Sequence, residues 1–422
     1  EMQYGVLRNK DQIDAAFFIK NTPNTLPDDD KKLTNLKKKI RGQKRFPVES
    51  YTSMEGLCTK VEGAVLNILD KYFPNEDTTT LGKVRLAQKA YMNSRHNYYV
   101  RNNKGFEYLN AFLNSDELNL VITGPSGIGK SALVANWIKE VGEHGLYNVI
   151  YYFVGNYDAT NDYKQILRYL CDEIYDRFHL KRMELSNDRV EAESQRLIAE
   201  IGQKGIPLLI VIDGINQIVE DDNSKLLNWL PPASGKVKFL FTTLEGDETM
   251  ETFRRHRYHI KAIRPLRKTQ RKKFAKQYLA YVGKKLDEAQ LMEIISDPEC
   301  ENMLVLQTLL DELICFGTYH KLHRRIEYYL SAPSIEYFFS RVLKRMEEDY
   351  SGKQDLVRHG LSLIAVSEQG LTEEELISIM GVRQIDWYLF YCAFYNHFVT
   401  KQGKITFSHQ YVADAIVKRY RL

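Results

Sequence analysis

The sequence predicts an α/β protein: a five-stranded parallel sheet, then a helical region, then a terminal unit of three helices and a β-hairpin. Three observations predict it. The apolar run 118–123 leads into Gly124-Pro125-Ser126-Gly127-Ile128-Gly129-Lys130-Ser131, and a helical pattern starts at Ala132. Four further apolar runs, 149–154, 208–212, 237–242 and 259–263, are separated by helical patterns, as expected of parallel strands buried on both faces. From residue 269 onward the apolar spacing is helical, interrupted by a hairpin pattern around Gly403.

At 422 residues the chain has room for about three domains, at one per ~150 residues. Apolar residues at 44%, charged residues at 27% and only 11 prolines exclude a disordered or low-complexity chain. No apolar run approaches the ~20 residues that a membrane span requires. Cys58, Cys171, Cys300, Cys315 and Cys392 are scattered, which fits reduced thiols in a cytoplasmic setting and implies neither zinc nor a disulfide framework. A net charge of +4 is too mild to demand a nucleic-acid partner. The first residue is Glu1 rather than Met, which points to a piece of a longer chain.

Residues 1–74 read as a partial α/β segment. Ala15 to Ile19 is a buried-looking strand, and Phe46 to Tyr51 is another. Between them, residues 31–45 carry eight Lys or Arg, with Leu33, Leu36 and Ile40 on one helical face. That helix is read as packed by its three apolar residues with its charges in water, in preference to a nucleic-acid or lipid contact. Ser53 caps a long amphipathic helix through Leu57, Val61, Val65, Ile68 and Leu69. The stretch from Asn75 to Thr80 reads as a linker, and residues 75–117 as a helical lead-in.

Residues 118–266 form the expected nucleotide-binding domain. The run Gly124 to Ser131 fits G-x-x-x-x-G-K-[ST] with a strand before it and a helix after it, so backbone N–H groups can converge on phosphate oxygens. Lys130 is expected to reach the outer phosphates, and Ser131 to place its hydroxyl on Mg²⁺. Asp213 closes the run Pro207 to Ile212. An acid ending a buried strand needs a partner, and a Mg²⁺ ion beside Ser131 supplies one, so Asp213 is read as the Walker B carboxylate. Asn216 and Gln217 follow where fast hydrolysis would use an acid to activate water. Lys130, Asp213 and Asn216 are the candidate catalytic residues, with slow turnover expected. Glu220, Asp221 and Asp222 lie farther on.

Several positions carry two readings. Tyr98, Tyr99, Val100 and Arg101 precede the loop and suit either adenine packing or a core helix end. Thr242 and Thr243 end a strand, where a hydroxyl could sense the terminal phosphate or simply be a β-branched strand residue. Arg254, Arg255 and Arg257 form either an arginine finger for a neighbouring subunit or a solvated helix end, the latter preferred.

Residues 267–350 are expected to form a helical lid, and residues 351–422 a winged helix. Its helices are placed at Leu356 to Val366, Thr372 to Met380 and Trp387 to Asn396, its strands at Phe398 to Lys401 and Lys404 to Phe407. The third helix reads Trp-Tyr-Leu-Phe-Tyr-Cys-Ala-Phe-Tyr-Asn from Trp387, whereas a major-groove reader carries basic and amide side chains. Direct DNA binding is therefore not expected.

From about residue 85 onward the chain resembles the STAND class of signal-transducing NTPases, which contains the NACHT and NB-ARC proteins. Tyr99-Val100-Arg101 sits where that class has a Tyr-hydrophobic-Gly-Arg-like stretch, without its glycine. Gly124 to Ser131 is similar to its Walker A motif, and Ile212 to Gln217 to its Walker B motif, with amides in place of the following acids. Asn302-Met303-Leu304 stands where relatives have Asn-Pro-Leu. Phe407-Ser408-His409 is similar to the motif whose histidine touches the β-phosphate of ADP and holds the inactive form. On its own His409 would read as a buried structural histidine. Residues 1–74 resemble the second half of a TIR-like domain of unknown function, from which no catalytic glutamate is carried over.

The resemblance implies a nucleotide set of Tyr99, Val100, Arg101, Gly124, Pro125, Ser126, Gly127, Ile128, Gly129, Lys130, Ser131, Ala132, Thr243, Pro265 and His409, with Ser131 and Asp213 on Mg²⁺. It also implies an ATP/ADP switch in defence or stress signalling, held closed by ADP, self-associating on activation, with sensor repeats or protein partners beyond Leu422. The alternatives are an AAA+-type ATPase acting on DNA, such as an origin-recognition ATPase, and a scaffold that keeps nucleotide without hydrolysing it.

Overall fold

In the computed structural model, the described residues are 14–21, 31–72, 79–96, 98–156, 162–218, 226–317, 319–350, 355–367, 369–401 and 403–422. They divide into two compact units, Glu1–Lys83 and Val84–Leu422.

In the first unit, β1 (Phe17–Lys20) pairs in parallel with β2 (Val48–Tyr51), the two joined through α1 (Lys31–Gly42). Phe17, Ile19, Ile40 and Phe46 form its small core, with Leu36 packed against it. Leu33 stays exposed, so two of the three apolar residues expected to anchor α1 do so. Helix α2 (Met54–Tyr72) starts where Ser53 Oγ accepts the Gly56 N–H at 3.1 Å.

The second unit begins within α3 (Thr80–Ser94) and continues through α4 (Asn103–Leu113). The aromatic stretch Tyr98 to Arg101 lies in the break between these helices. The sheet and its helices follow: β3 (Asn119–Gly124), α5 (Lys130–His144), β4 (Asn148–Phe153), α6 (Tyr163–Arg177), α7 (Val190–Gln203), β5 (Leu208–Asp213), β6 (Val237–Leu244), α8 (Glu248–Arg255) and β7 (His259–Ala262). All five strands are parallel, in the order β4-β5-β6-β3-β7. Leu208 to Ile212 are fully buried, which explains why β5 reads as one unbroken apolar run. Trp137 of α5 is buried too, and its Nε1 donates to Asn110 Oδ1 of α4 at 2.8 Å.

Next come α9 (Lys268–Tyr281), α10 (Glu288–Ser296), α11 (Met303–Cys315), α12 (Leu322–Leu330) and α13 (Ile335–Asp349). The terminal part is α14 (Leu356–Val366), β8 (Leu371–Thr372), α15 (Glu373–Met380), α16 (Gln384–Phe394), β9 (Phe398–Lys401), β10 (Lys404–Phe407) and α17 (Gln410–Tyr420). The hairpin strands fall where expected, and β8 adds a third strand in the order β8-β10-β9. Trp387, Phe390 and Phe394 of α16 are buried in a core shared with α9 to α14. Ile385, Tyr388 and Leu389 remain exposed on its other side.

Candidate functional site

The phosphate loop lies between the end of β3 and the start of α5. Gly127 and Gly129 have φ of +77° and +102°, a region that side chains with a Cβ rarely adopt. The Lys130 Nζ donates to Gly124 O at 2.7 Å and to Pro125 O at 2.9 Å, which folds the ammonium back over the loop. Burial pulls the Lys130 pKa down to about 8, against the opposing charges of Asp213 and Glu245.

Asp213 faces the loop from the end of β5 and is buried. Thr242 Oγ1 donates to Asp213 Oδ1 at 2.6 Å and accepts the Gly214 N–H at 2.7 Å. Thr243, the next residue of β6, is bonded instead to Asp247 at 3.5 Å. The two threonines project from opposite faces of one strand, and the register of β5 on β6 decides that Thr242 meets the carboxylate. Burial raises the Asp213 pKa, while hydrogen bonds from Thr242 and Ser131 and the charges of Lys130 and Arg95 act the other way.

A serine hydroxyl hydrogen-bonded to a buried carboxylate is a pair of hard oxygen donors, and it fits a Mg²⁺ ion. A raised carboxylate pKa means that the fold disfavours the ionised form, and more so as pH rises above the unfolded-state value. Asp213→Asn is therefore expected to raise the melting temperature of the empty protein, and to remove any extra stabilisation by nucleotide that depends on Mg²⁺. Thermal denaturation with and without the ion checks both.

The segment before α4 adjoins the segment after β7. Asn102 Nδ2 donates to Arg264 O at 3.3 Å, and Gln270 Nε2 donates to Arg101 O at 2.7 Å. Tyr99 is half-buried, Val100 is buried in the core shared with α9 to α14, and Pro265 is exposed. The Arg101 guanidinium pairs with Glu140 of α5 and lies 3.8 Å over the Phe106 ring.

Asn302, the N-cap of α11, holds the loop from the helices that follow the sheet. Its Nδ2 donates to Ser126 O at 2.9 Å, its Oδ1 accepts the Leu304 N–H at 3.0 Å, and that N–H also lies 3.2 Å from Gly127 O. A Cβ on Gly127 would lie 2.4 Å from Asn302 Oδ1. Asn216 sits half-buried in the turn Ile215–Gln217 after β5. Glu220, Asp221 and Asp222 lie outside the described residues.

His409 enters from the terminal part, as the N-cap of α17. Its imidazole is pushed down to about 3, first by loss of water and then by the nearby charges of Arg95, His397 and Lys130. His397, buried against Phe339 and Phe394, is likewise held low, at about 4. The Lys130 charge thus bears on both Asp213 and His409.

Thr242, Arg95 and the Asn302 contact to the loop are contributions that motif spacing does not reveal. The tandem Thr242-Thr243 is the signal for the first, and the resemblance at Asn302-Met303-Leu304 for the third.

Residues 103–296 match the family model described as "ATPase domain predominantly from Archaea". A TPR repeat-containing protein of Dictyostelium discoideum is 23% identical over 92% of this chain and 28% of its own length. Tetratricopeptide repeat protein 41 of Mus musculus is 24% identical over 91% of this chain and 35% of its own. The chain thus spans about a third or less of the curated relatives it matches. A Walker-type ATPase of Pyrococcus abyssi, a solved structure, aligns with 75% of this chain and 96% of its own at 12% identity and a TM-score of 0.41. No helix among the described residues is long and apolar enough to cross a membrane. With the loop, the buried strand-end aspartate and the five-stranded parallel sheet, the family match shows that the chain carries a phosphate-loop ATPase domain.

Proposed function

We propose that this domain works as a nucleotide-controlled switch of the STAND kind, with ADP held in a closed state and exchange for ATP releasing the terminal winged helix. The observation that carries the reading is the electrostatic link between Lys130 and His409. A residue 279 positions downstream of the loop lies close enough for the Lys130 charge to bear on its imidazole. At neutral pH the imidazole is uncharged, and a bound polyphosphate would accept from its ring N–H as well as from Lys130, which gives nucleotide a differential interaction with the closed form.

In this reading Lys130 reaches the outer phosphates, Ser131 and Asp213 hold Mg²⁺, and residues 99–101 with Pro265 line the base side. Thr243 remains the candidate sensor of the terminal phosphate, with Thr242 fixing Asp213. Hydrolysis is slow, because Asn216 and Gln217 can orient water but not take its proton. The repeats in the relatives' names support a longer protein in which repeats receive the signal, with self-association as the output. The exposed Ile385, Tyr388 and Leu389 face of α16 suits protein better than a DNA groove.

The test is to purify the chain, denature it and identify the released nucleotide by mass spectrometry. Close to one ADP per chain is expected. Recovery of folded, nucleotide-free protein that fails to bind added ADP or ATP would sink the reading. Salt-sensitive duplex binding with stimulated turnover would move the chain to the rival AAA+ class acting on DNA.

A further inference from the structure

Arg95 belongs to none of the motifs above, yet the fold holds it beside the phosphate loop. Helix α3 is fastened to the end of β4. Gln88 Oε1 accepts the Phe153 N–H at 2.7 Å, its Nε2 donates to Phe153 O at 3.3 Å, and the Tyr91 ring lies 4.9 Å from the Phe153 ring. Phe153 is the register partner of Asp213. The residue after α3 therefore emerges at the carboxyl end of the strand next to Asp213.

Helix α5 clamps it from the other side. Asn136 Nδ2 donates to Arg95 O at 3.0 Å and to Ala132 O at 2.8 Å, and Asn136 Oδ1 pairs with the His96 ring at 3.0 Å. Ala132 directly follows Ser131, so Arg95 is tied to the first turn of the loop's own helix. The guanidinium lies 4.4 Å over the Tyr91 ring, which limits where it can swing. Its Nε is buried with no hydrogen-bond partner, and Arg95 forms no ion pair with a described residue. A buried guanidinium N–H without a partner is costly, and such a group is well suited to an anion that arrives with the ligand.

We propose that Arg95 is a phosphate ligand supplied in cis by the lead-in helix, donating to nucleotide oxygens beyond the α-phosphate. The inference rests on reading the loop as a nucleotide site, and it assigns that site a permanent cation beside the titratable Lys130. The charge of Arg95 already bears on both Asp213 and His409, the residues that flank the outer-phosphate side in that reading. Arginine suits the task because its planar fork can donate two parallel bonds to a phosphate and stays charged at every accessible pH.

The experiment titrates fluorescent ATP, ADP and AMP analogues against the whole chain, its Arg95→Ala variant and its Arg95→Lys variant, with thermal melts as the folding control. Arg95→Ala is expected to weaken ATP and ADP binding about 10- to 100-fold while leaving AMP unchanged, and Arg95→Lys to restore part of the loss. Should Arg95→Ala unfold, the ATP-to-AMP ratio of the Arg95→Lys variant carries the test, and a ratio equal to the parent's overturns the proposal. Unchanged ATP and ADP affinity in a folded Arg95→Ala protein overturns it, as does an equal loss for AMP, which would mark a structural role. A parent chain that binds none of the three overturns the nucleotide reading itself, a result distinct from either.

Discussion

Replacing Lys130 by Met is expected to weaken ADP and ATP binding about 100-fold, the scale of one or two lost charged hydrogen bonds, and to change the shape of the pH profile. The lysine pKa in the empty site is about 8, and a bound phosphate favours its charged form. Affinity is therefore fully present below pH 8 and falls as pH rises through it, by about tenfold between pH 7 and pH 9. The Met variant should show no such fall. Lys130→Arg is not a rescue, because the compact ammonium fits between Gly124 O and Pro125 O whereas a planar fork does not. Calorimetric titration across that pH range separates the outcomes, and a parent with a flat profile would remove Lys130 from the contact.

Gly127→Ala is expected to be strongly destabilising. The residue sits at φ +77°, and the added carbon would stand 2.4 Å from Asn302 Oδ1 and 2.8 Å from Leu304 Cβ. The backbone cost alone is about 1–3 kcal/mol, and the clash adds to it, because the neighbours are a helix cap and not a free side-chain tip. The loop must then move away from α11 and break the Asn302 bond to Ser126 O. Gly129→Ala, at φ +102° with nothing within 4 Å of the added carbon, carries only the backbone cost. Gly127→Ala should melt lower than Gly129→Ala and be cleaved faster by protease within α9 to α13. Equal melting and cleavage would show that the loop moves independently of α11.

Strands β3 to β6 were legible because their residues are mostly apolar without alternation, and because a glycine-rich loop stood at the end of one of them, whereas β7, His259–Ala262, is short and mixed. The terminal hairpin was legible for a different reason: Gly403 sits between two short β-branched and aromatic runs. What stayed hidden is polar. Lys238 lies inside the buried strand β6, and its Nζ donates to Phe112 O, Ser115 O and Glu117 O at 3.1, 2.7 and 2.5 Å, quenching the carbonyls at the end of α4. Gln88 hydrogen-bonds the backbone of β4, an edge strand, and so blunts a pairing edge. Thr242 and Arg95 are of the same kind. Each is a common residue in an ordinary local pattern, and its meaning comes from a partner many positions away that no local period encodes.

Helix α11 has mechanical consequences. Its cap, Asn302, grips the phosphate loop, and nine residues on, Asp311 accepts Asn396 Nδ2 of the terminal part at 3.0 Å and the Tyr278 hydroxyl at 2.6 Å. At 1.5 Å per residue that is an arm of about 13 Å. A tilt of about 10° pivoting at the loop would carry Asp311 by about 2 Å, enough to part a hydrogen bond from Asn396. A sub-ångström adjustment around a phosphate can thus be geared up, through one rigid rod, into release of a distant grip.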